Sequence, residues 1–128
     1  MHPISSILCL IYDELRDRGQ VSFLLGDRHR TNIDSIVKTV NATYFGVERF
    51  KTPEEKAVAY LCLIIKDHPV TDGNKRLAIF WFKVFCDVSD IEMQPLPFEL
   101  DVLAVAVERS TEEMDDLLLT VRSIVFNT

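Results

Sequence analysis

The sequence predicts an all-α fold: a small helical bundle with a polar motif loop between two buried central helices, and a short β-hairpin flap ahead of them. Three observations carry this. Apolar residues recur at three-and-four spacing in successive stretches, the signature of helices with one face on a core. Two runs, 57–65 and 77–85, are apolar almost throughout, as befits helices in the middle of a bundle. Breakers are few: four Gly and five Pro stand against 48% apolar residues, eight of them Phe, a composition for a compact core rather than a disordered chain. With 128 residues, no repeat and no linker-like stretch, the chain is expected to form one domain over 1–128.

The first helix is expected over about 4–18, where Ile4, Ile7, Leu8, Ile11, Tyr12 and Leu15 share a face. Pro3 fits its first turn and Gly19 its stop. Residues 20–30 read as a loop with a short strand at Val21 to Leu25, Gly26-Asp27 marking a turn. Thr31 then caps a second helix with Ile33, Ile36, Val37 and Val40 inward. From Thr43 to Phe50 the chain turns aromatic and β-branched and alternates loosely, which predicts a hairpin. It either tucks Phe45 and Phe50 into the core or forms a flap beside a site.

Thr52-Pro53-Glu54-Glu55 is a strong helix start: Thr52 caps, Pro53 tolerates the first position, and Glu55 closes a capping box. The helix runs to about Asp67, where Pro69 ends it. The next, from Asn74 to about Val88, is apolar on nearly all sides, and its length favours helix over strand. After Pro95 and Pro97 a helix is expected from about Phe98 to Arg109. A last one follows Ser110-Thr111-Glu112-Glu113, a second capping-box pattern.

A formal charge of −6 argues against nucleic-acid binding, which needs a net basic face to displace counterions. Arg28, His29 and Arg30 read as a solvated loop. Cys9, Cys62 and Cys86 are three, widely spaced and each in an apolar run; they read as buried thiols in a reducing compartment, with neither a disulfide framework nor zinc-ligand spacing. The first apolar run is too short for a bilayer and lacks a basic leader, so no membrane association and a cytoplasmic location are expected.

The site candidate is the polar run His68-Pro-Val-Thr-Asp-Gly-Asn-Lys-Arg76, set between the two most apolar segments. Each residue alone fits an ordinary helix stop and turn. The whole run does not, because such a turn has no reason to lie inside the most hydrophobic part of the chain. The start of the following helix points unpaired backbone donors near Gly73, Asn74 and Lys75 into the gap. With Lys75 and Arg76 beside them, these donors suit a polyphosphate, and Gly73 lets the backbone come close. Asp72 is placed to hold Mg²⁺ against a phosphate, and His68 to take a proton from an attacking hydroxyl.

This run resembles the signature of the Fic and Doc proteins, His-x-Phe-x-(Asp/Glu)-Gly-Asn-(Gly/Lys)-Arg. Thr-Pro-Glu-Glu-Lys-Ala at 52–57 and the Asp67-His68-Pro69 junction are also similar to members of that family, and the similarity extends from about Ile33 to Phe85. The length resembles the compact Doc type. The resemblance implies transfer of a phosphate-containing group from ATP or a related nucleoside triphosphate, with Mg²⁺, to a protein hydroxyl: a nucleoside monophosphate (AMPylation) in Fic enzymes, the terminal phosphate, as in a kinase, in Doc.

Carried over by position, His68 is the general base, Asp72 the Mg²⁺ position, Gly73, Asn74 and Lys75 the anion hole, and Arg76 a phosphate clamp. Val70 replaces the usual Phe and fills less of the core, which predicts a looser loop. Lys75 and Ile79 are Doc-like, Gly73 Fic-like; terminal-phosphate transfer is preferred. The inhibitory stretch Ser/Thr-x-x-x-Glu-Gly/Asn is absent from the sequence, so either a separate small antitoxin, as in toxin–antitoxin pairs, supplies it or control takes another form. The alternative to an enzyme is a non-catalytic nucleotide- or protein-binding module with a degenerate motif.

Overall fold

The computed structural model describes residues 1–127. Six helices and one hairpin follow in order: α1 (Pro3–Asp17), α2 (Asp27–Val40), β1 (Thr43–Tyr44), β2 (Val47–Glu48), α3 (Pro53–Asp67), α4 (Asn74–Val88), α5 (Leu100–Arg109) and α6 (Met114–Phe126). The expected all-α bundle with a hairpin is what forms.

α3 is the axis of the molecule. Every residue from Ala57 to Ile65 is buried, and the helix packs against α2, α4, α5 and α6. A helix enclosed on all sides has no polar face to offer, which is why its sequence shows almost no periodicity. Its start is as expected: the Thr52 hydroxyl accepts the Glu55 N–H at 3.1 Å, with Pro53 in the first turn. Glu55 reaches back one residue further than a capping box requires, to the Lys51 N–H at 3.3 Å.

α4 lies against α3 and is less enclosed than its sequence suggests. Leu77, Ala78, Trp81, Phe82 and Cys86 are buried, but Phe80, Lys83 and Val88 are exposed. Between the two helices Tyr60, Trp81 and Phe85 form an aromatic cluster with ring centroids 5.3–6.0 Å apart, an edge-on and tilted packing that adds to the area buried. The fully buried Tyr60 hydroxyl accepts a hydrogen bond from Asn41 at 2.9 Å.

Several boundaries differ from expectation. α2 begins four residues before Thr31, so Arg28, His29 and Arg30 are helical rather than loop. The reason is local: the His29 Nδ1 accepts the Gly26 N–H at 2.9 Å and so caps the helix from within. No strand forms at 21–25, because no neighbouring strand is there to pair with it; Val21 is buried while Phe23 and Leu24 are exposed.

α5 starts at Leu100 rather than Phe98. α6 starts at Met114 without a capping box: the Ser110 hydroxyl accepts the Glu112 N–H at 3.1 Å, a local turn that comes too early to cap the helix.

The hairpin pairs Thr43 with Glu48 and Tyr44 with Val47. Phe45 (φ 53°) and Gly46 (φ 78°) make the tight turn, both in the left-handed region that a two-residue hairpin loop of this hand requires. Phe50 is in the core, whereas Phe45 stands fully in solvent. The three cysteines are free and buried, and burial pushes the Cys62 thiol up to about 12. No helix among the described residues is long and apolar enough to cross a membrane.

Candidate active site

The motif loop is built outward from Asn74, which is almost fully buried at the first position of α4. Its Oδ1 accepts the Val70 N–H at 3.0 Å and its Nδ2 donates to the Val70 carbonyl at 2.8 Å. These two hydrogen bonds fix the loop across its own width. Val70 is itself 4% exposed, so the smaller side chain still seats in the core and the loop is clamped, not loose. The amide that the sequence placed in an anion hole is therefore spent on the loop and on His68, which leaves the backbone N–H of Asn74 as its donor without a partner inside the helix.

The same clamp sets the chemistry of His68. Because Oδ1 takes the Val70 N–H, it is Nδ2 that faces the His68 Nδ1, at 3.2 Å. A donor there makes Nδ1 the unprotonated nitrogen of the neutral ring and leaves the proton on Nε2. His68 ends α3 in the left-handed conformation (φ 49°) and its side chain is 54% exposed.

Four residues from the first third of the chain hold the rest of the loop. The Tyr12 hydroxyl donates to the Asp72 carbonyl at 2.9 Å, and the Asp72 carboxylate accepts the Ser22 N–H through one oxygen at 3.2 Å. Asn32 donates to the Pro69 carbonyl at 3.3 Å. His29, whose Nδ1 is already an acceptor, donates from Nε2 to the Thr71 hydroxyl at 3.0 Å. None of these four is marked as a site residue by a local pattern in the sequence; each is legible only once α1, α2 and the segment between them are laid over the loop.

Gly73 precedes α4 with φ 81°, and a Cβ there would run into the Val21 side chain. The glycine is required by backbone hand and by this neighbour. No side chain caps α4, so the first-turn N–H groups of Asn74, Lys75 and Arg76 are left without a partner inside the helix. They open on a cleft of about 600 Å³. Asp72 to Arg76, Ile79, Phe80 and Lys83 form one wall, Asp101, Ala104 and Val105 from α5 another, with Gln20 at the rim. Its lining is cationic at the motif, apolar at Ile79, Phe80, Ala104 and Val105, and charged again at Lys83 and Asp101. Among the described residues Arg76, Lys83 and Asp101 form no ion pair.

Asp72 to Arg76 are thus brought to one cleft, and His68 is not on its wall. The connection between them is a residue the sequence reading missed. Glu108, near the end of α5, pairs through Oε2 with Lys75 Nζ at 3.0 Å, and the same oxygen lies 3.9 Å from His68 Nε2. Lys75 draws the Glu108 carboxyl below the usual carboxylate range. Lys75 is therefore a neutralised cation and not the free charge expected at the anion hole. Glu108 follows Val107 on a helix whose other signals are all of packing, so nothing local singles it out.

For Mg²⁺, no group of three or more His, Cys, Asp or Glu side chains converges among the described residues. Asp72 alone fits the ion in another way: its second carboxylate oxygen is free beside a cationic cleft, and magnesium is commonly held by one or two carboxylates plus phosphate oxygens.

No curated protein and no solved structure gives a significant match to the chain. A protein-family model, that of the Fic/DOC family, matches residues 4–86. That span covers α1, α2, the hairpin, α3, the motif loop and most of α4, so that this chain belongs to the Fic/DOC family.

Proposed function

We propose that this protein moves a phosphate-containing group from ATP or a related nucleoside triphosphate to a hydroxyl of a protein substrate, with the terminal phosphate as the group transferred. The observation that carries this reading is the motif end of the cleft, where the free N–H groups of residues 74–76, Arg76 and the free oxygen of Asp72 converge on one space. Backbone donors at a helix N-terminus with adjacent cations suit phosphate oxygens. Mg²⁺ bound between Asp72 and the phosphates would offset their charge. Arg76 clamps a phosphate and the apolar stretch of the cleft, at Ile79, Phe80 and Val105, receives the nucleoside.

His68 acts as general base through Nδ1, its unprotonated nitrogen, with the incoming hydroxyl displacing the 3.2 Å contact from Asn74 while that amide keeps both bonds to Val70. The half-exposed ring is open to a protein substrate from outside the cleft. The hairpin, with Tyr44, Phe45 and Val47 exposed, serves as the flap that receives the target segment by strand addition. A small antitoxin carrying the missing inhibitory helix is the proposed partner.

Purified protein with Mg²⁺ and γ-labelled ATP should mark a protein in a lysate, and His68→Ala should lower this by about 10²–10⁴-fold. Label from the α position instead would reassign the chemistry to nucleotidyl transfer. That His68 stands off the cleft wall favours one other reading, a module that binds nucleotide without turnover. Calorimetric binding of ATP with no labelling from either position, across several lysates, would establish it.

A further inference from the structure

Glu108 is held in place by more than its own side chain. Lys66 Nζ donates to the Glu108 carbonyl at 3.2 Å and to the Ser110 carbonyl at 2.7 Å, a cation closing the exposed carbonyls at the end of α5. This ties the last turn of α5 to the last turn of α3, so one carboxylate oxygen faces both Lys75 Nζ and His68 Nε2. On the other side of the imidazole stands Asn74, whose orientation cannot reverse without breaking both bonds to Val70. The neutral ring is satisfied there, accepting at Nδ1. A protonated ring is not, because Nδ1–H would oppose the Asn74 N–H. The imidazolium therefore depends on the carboxylate at Nε2, and that carboxylate is engaged by Lys75.

We infer that Glu108 is a positioning residue for the transfer, a carboxylate shared by Lys75 and His68 that passes to the His68 imidazolium when a nucleotide phosphate engages Lys75. The inference rests on the reading that the cleft takes a nucleoside triphosphate. In the step, the substrate O–H bond breaks and its proton goes to His68 Nδ1. The oxygen pair forms the new O–P bond, and the P–O bond to the leaving nucleotide breaks, its electron pair departing with the nucleotide oxygen. Lys75 then has a phosphate as counter-ion and Glu108 has the imidazolium. Of the other charged groups nearby, Asp67 acts on His68, Arg109 acts on Glu108, and Lys66 is bound to the carbonyls at the end of α5; among the described residues none of the three forms an ion pair with His68 or Lys75.

Ring ¹⁵N shifts of His68 at a fixed pH of about 6.5 report the fraction of imidazolium. They are to be measured in the full chain, in Lys75→Met, in Glu108→Gln and in the double variant. Lys75→Met, which releases the carboxylate, should raise the His68 imidazolium-to-neutral ratio at least threefold. With Gln at 108 the same change should have less than half that effect. Equal effects in the two backgrounds would overturn the inference.

AMP-PNP with Mg²⁺, added to wild type and to Glu108→Gln, should likewise raise the ratio more in wild type. Failure of AMP-PNP to bind overturns the nucleotide reading and with it the release step. Binding with no difference between the two proteins overturns the role of Glu108 alone. In turnover, Glu108→Gln should lower kcat at least tenfold while the KM for nucleotide changes less than threefold; a change confined to KM would make Glu108 a binding residue and refute the inference.

Discussion

At Gly73 two constraints coincide, a left-handed backbone and the Val21 side chain where a Cβ would go. Gly73→Ala should therefore cost about 1–3 kcal/mol, combining backbone strain with overpacking. Trimming the neighbour in the double variant Val21→Ala/Gly73→Ala should return the packing part and leave the strain. Denaturant midpoints of the four proteins of this cycle check it, and strict additivity would show that Val21 is not the obstacle. Asn74 carries an equally specific load, since one buried amide clamps Val70 and selects the His68 tautomer. The motif letters single out Asn74 without showing this use of it. Its partner is set by how the loop folds Val70 back onto the start of α4, which a sequence pattern does not record.

The helices are joined by polar contacts as well as by the core. Asp34 on α2 accepts from the Ser5 hydroxyl at 2.6 Å and from the His2 N–H at 2.9 Å, and pairs with Lys38 at 2.9 Å, so the start of α1 is pinned to α2. These contacts, the Ser5 hydroxyl first, hold the Asp34 carboxyl well below the usual carboxylate range. A carboxylate depressed by folding contributes stability that is complete above the unfolded value, about 3.9, and is lost as pH falls through the folded value. Asp34→Asn should accordingly lower the melting temperature at pH 7, and the gap from wild type should narrow steadily below about pH 4. A gap independent of pH would assign the effect to packing. Helix starts were legible where a Ser/Thr capping residue stands before the helix, as at Thr52, and were missed at α2, where a histidine inside the helix rather than Thr31 caps it.

For the molecule as a whole, α3 is the element whose exposure requires the bundle to open. Cys62 sits in its middle and Cys86 on the facing helix, with thiols raised by burial to about 12 and about 11. Iodoacetamide at pH 8 should leave both almost unlabelled in the folded protein, with labelling rising to that of a free thiol across the unfolding transition. Fast native labelling of Cys62 would mean that α3 is not enclosed. The bundle, its two central helices and the hairpin were readable from sequence, because the period of apolar residues and local turn chemistry encode an element within its own span. The motif was readable for the same reason, being nine consecutive residues. What only the tertiary structure decided is the company those residues keep. Tyr12, His29 and Asn32 brace the loop from 37 to 60 residues away in the chain, and Glu108, 33 residues beyond Lys75, takes its charge. The Lys75–Glu108 pair, not the cleft wall, is what joins His68 to the motif end of the cleft. Such contacts depend on how helices cross once packed, which no local spacing records.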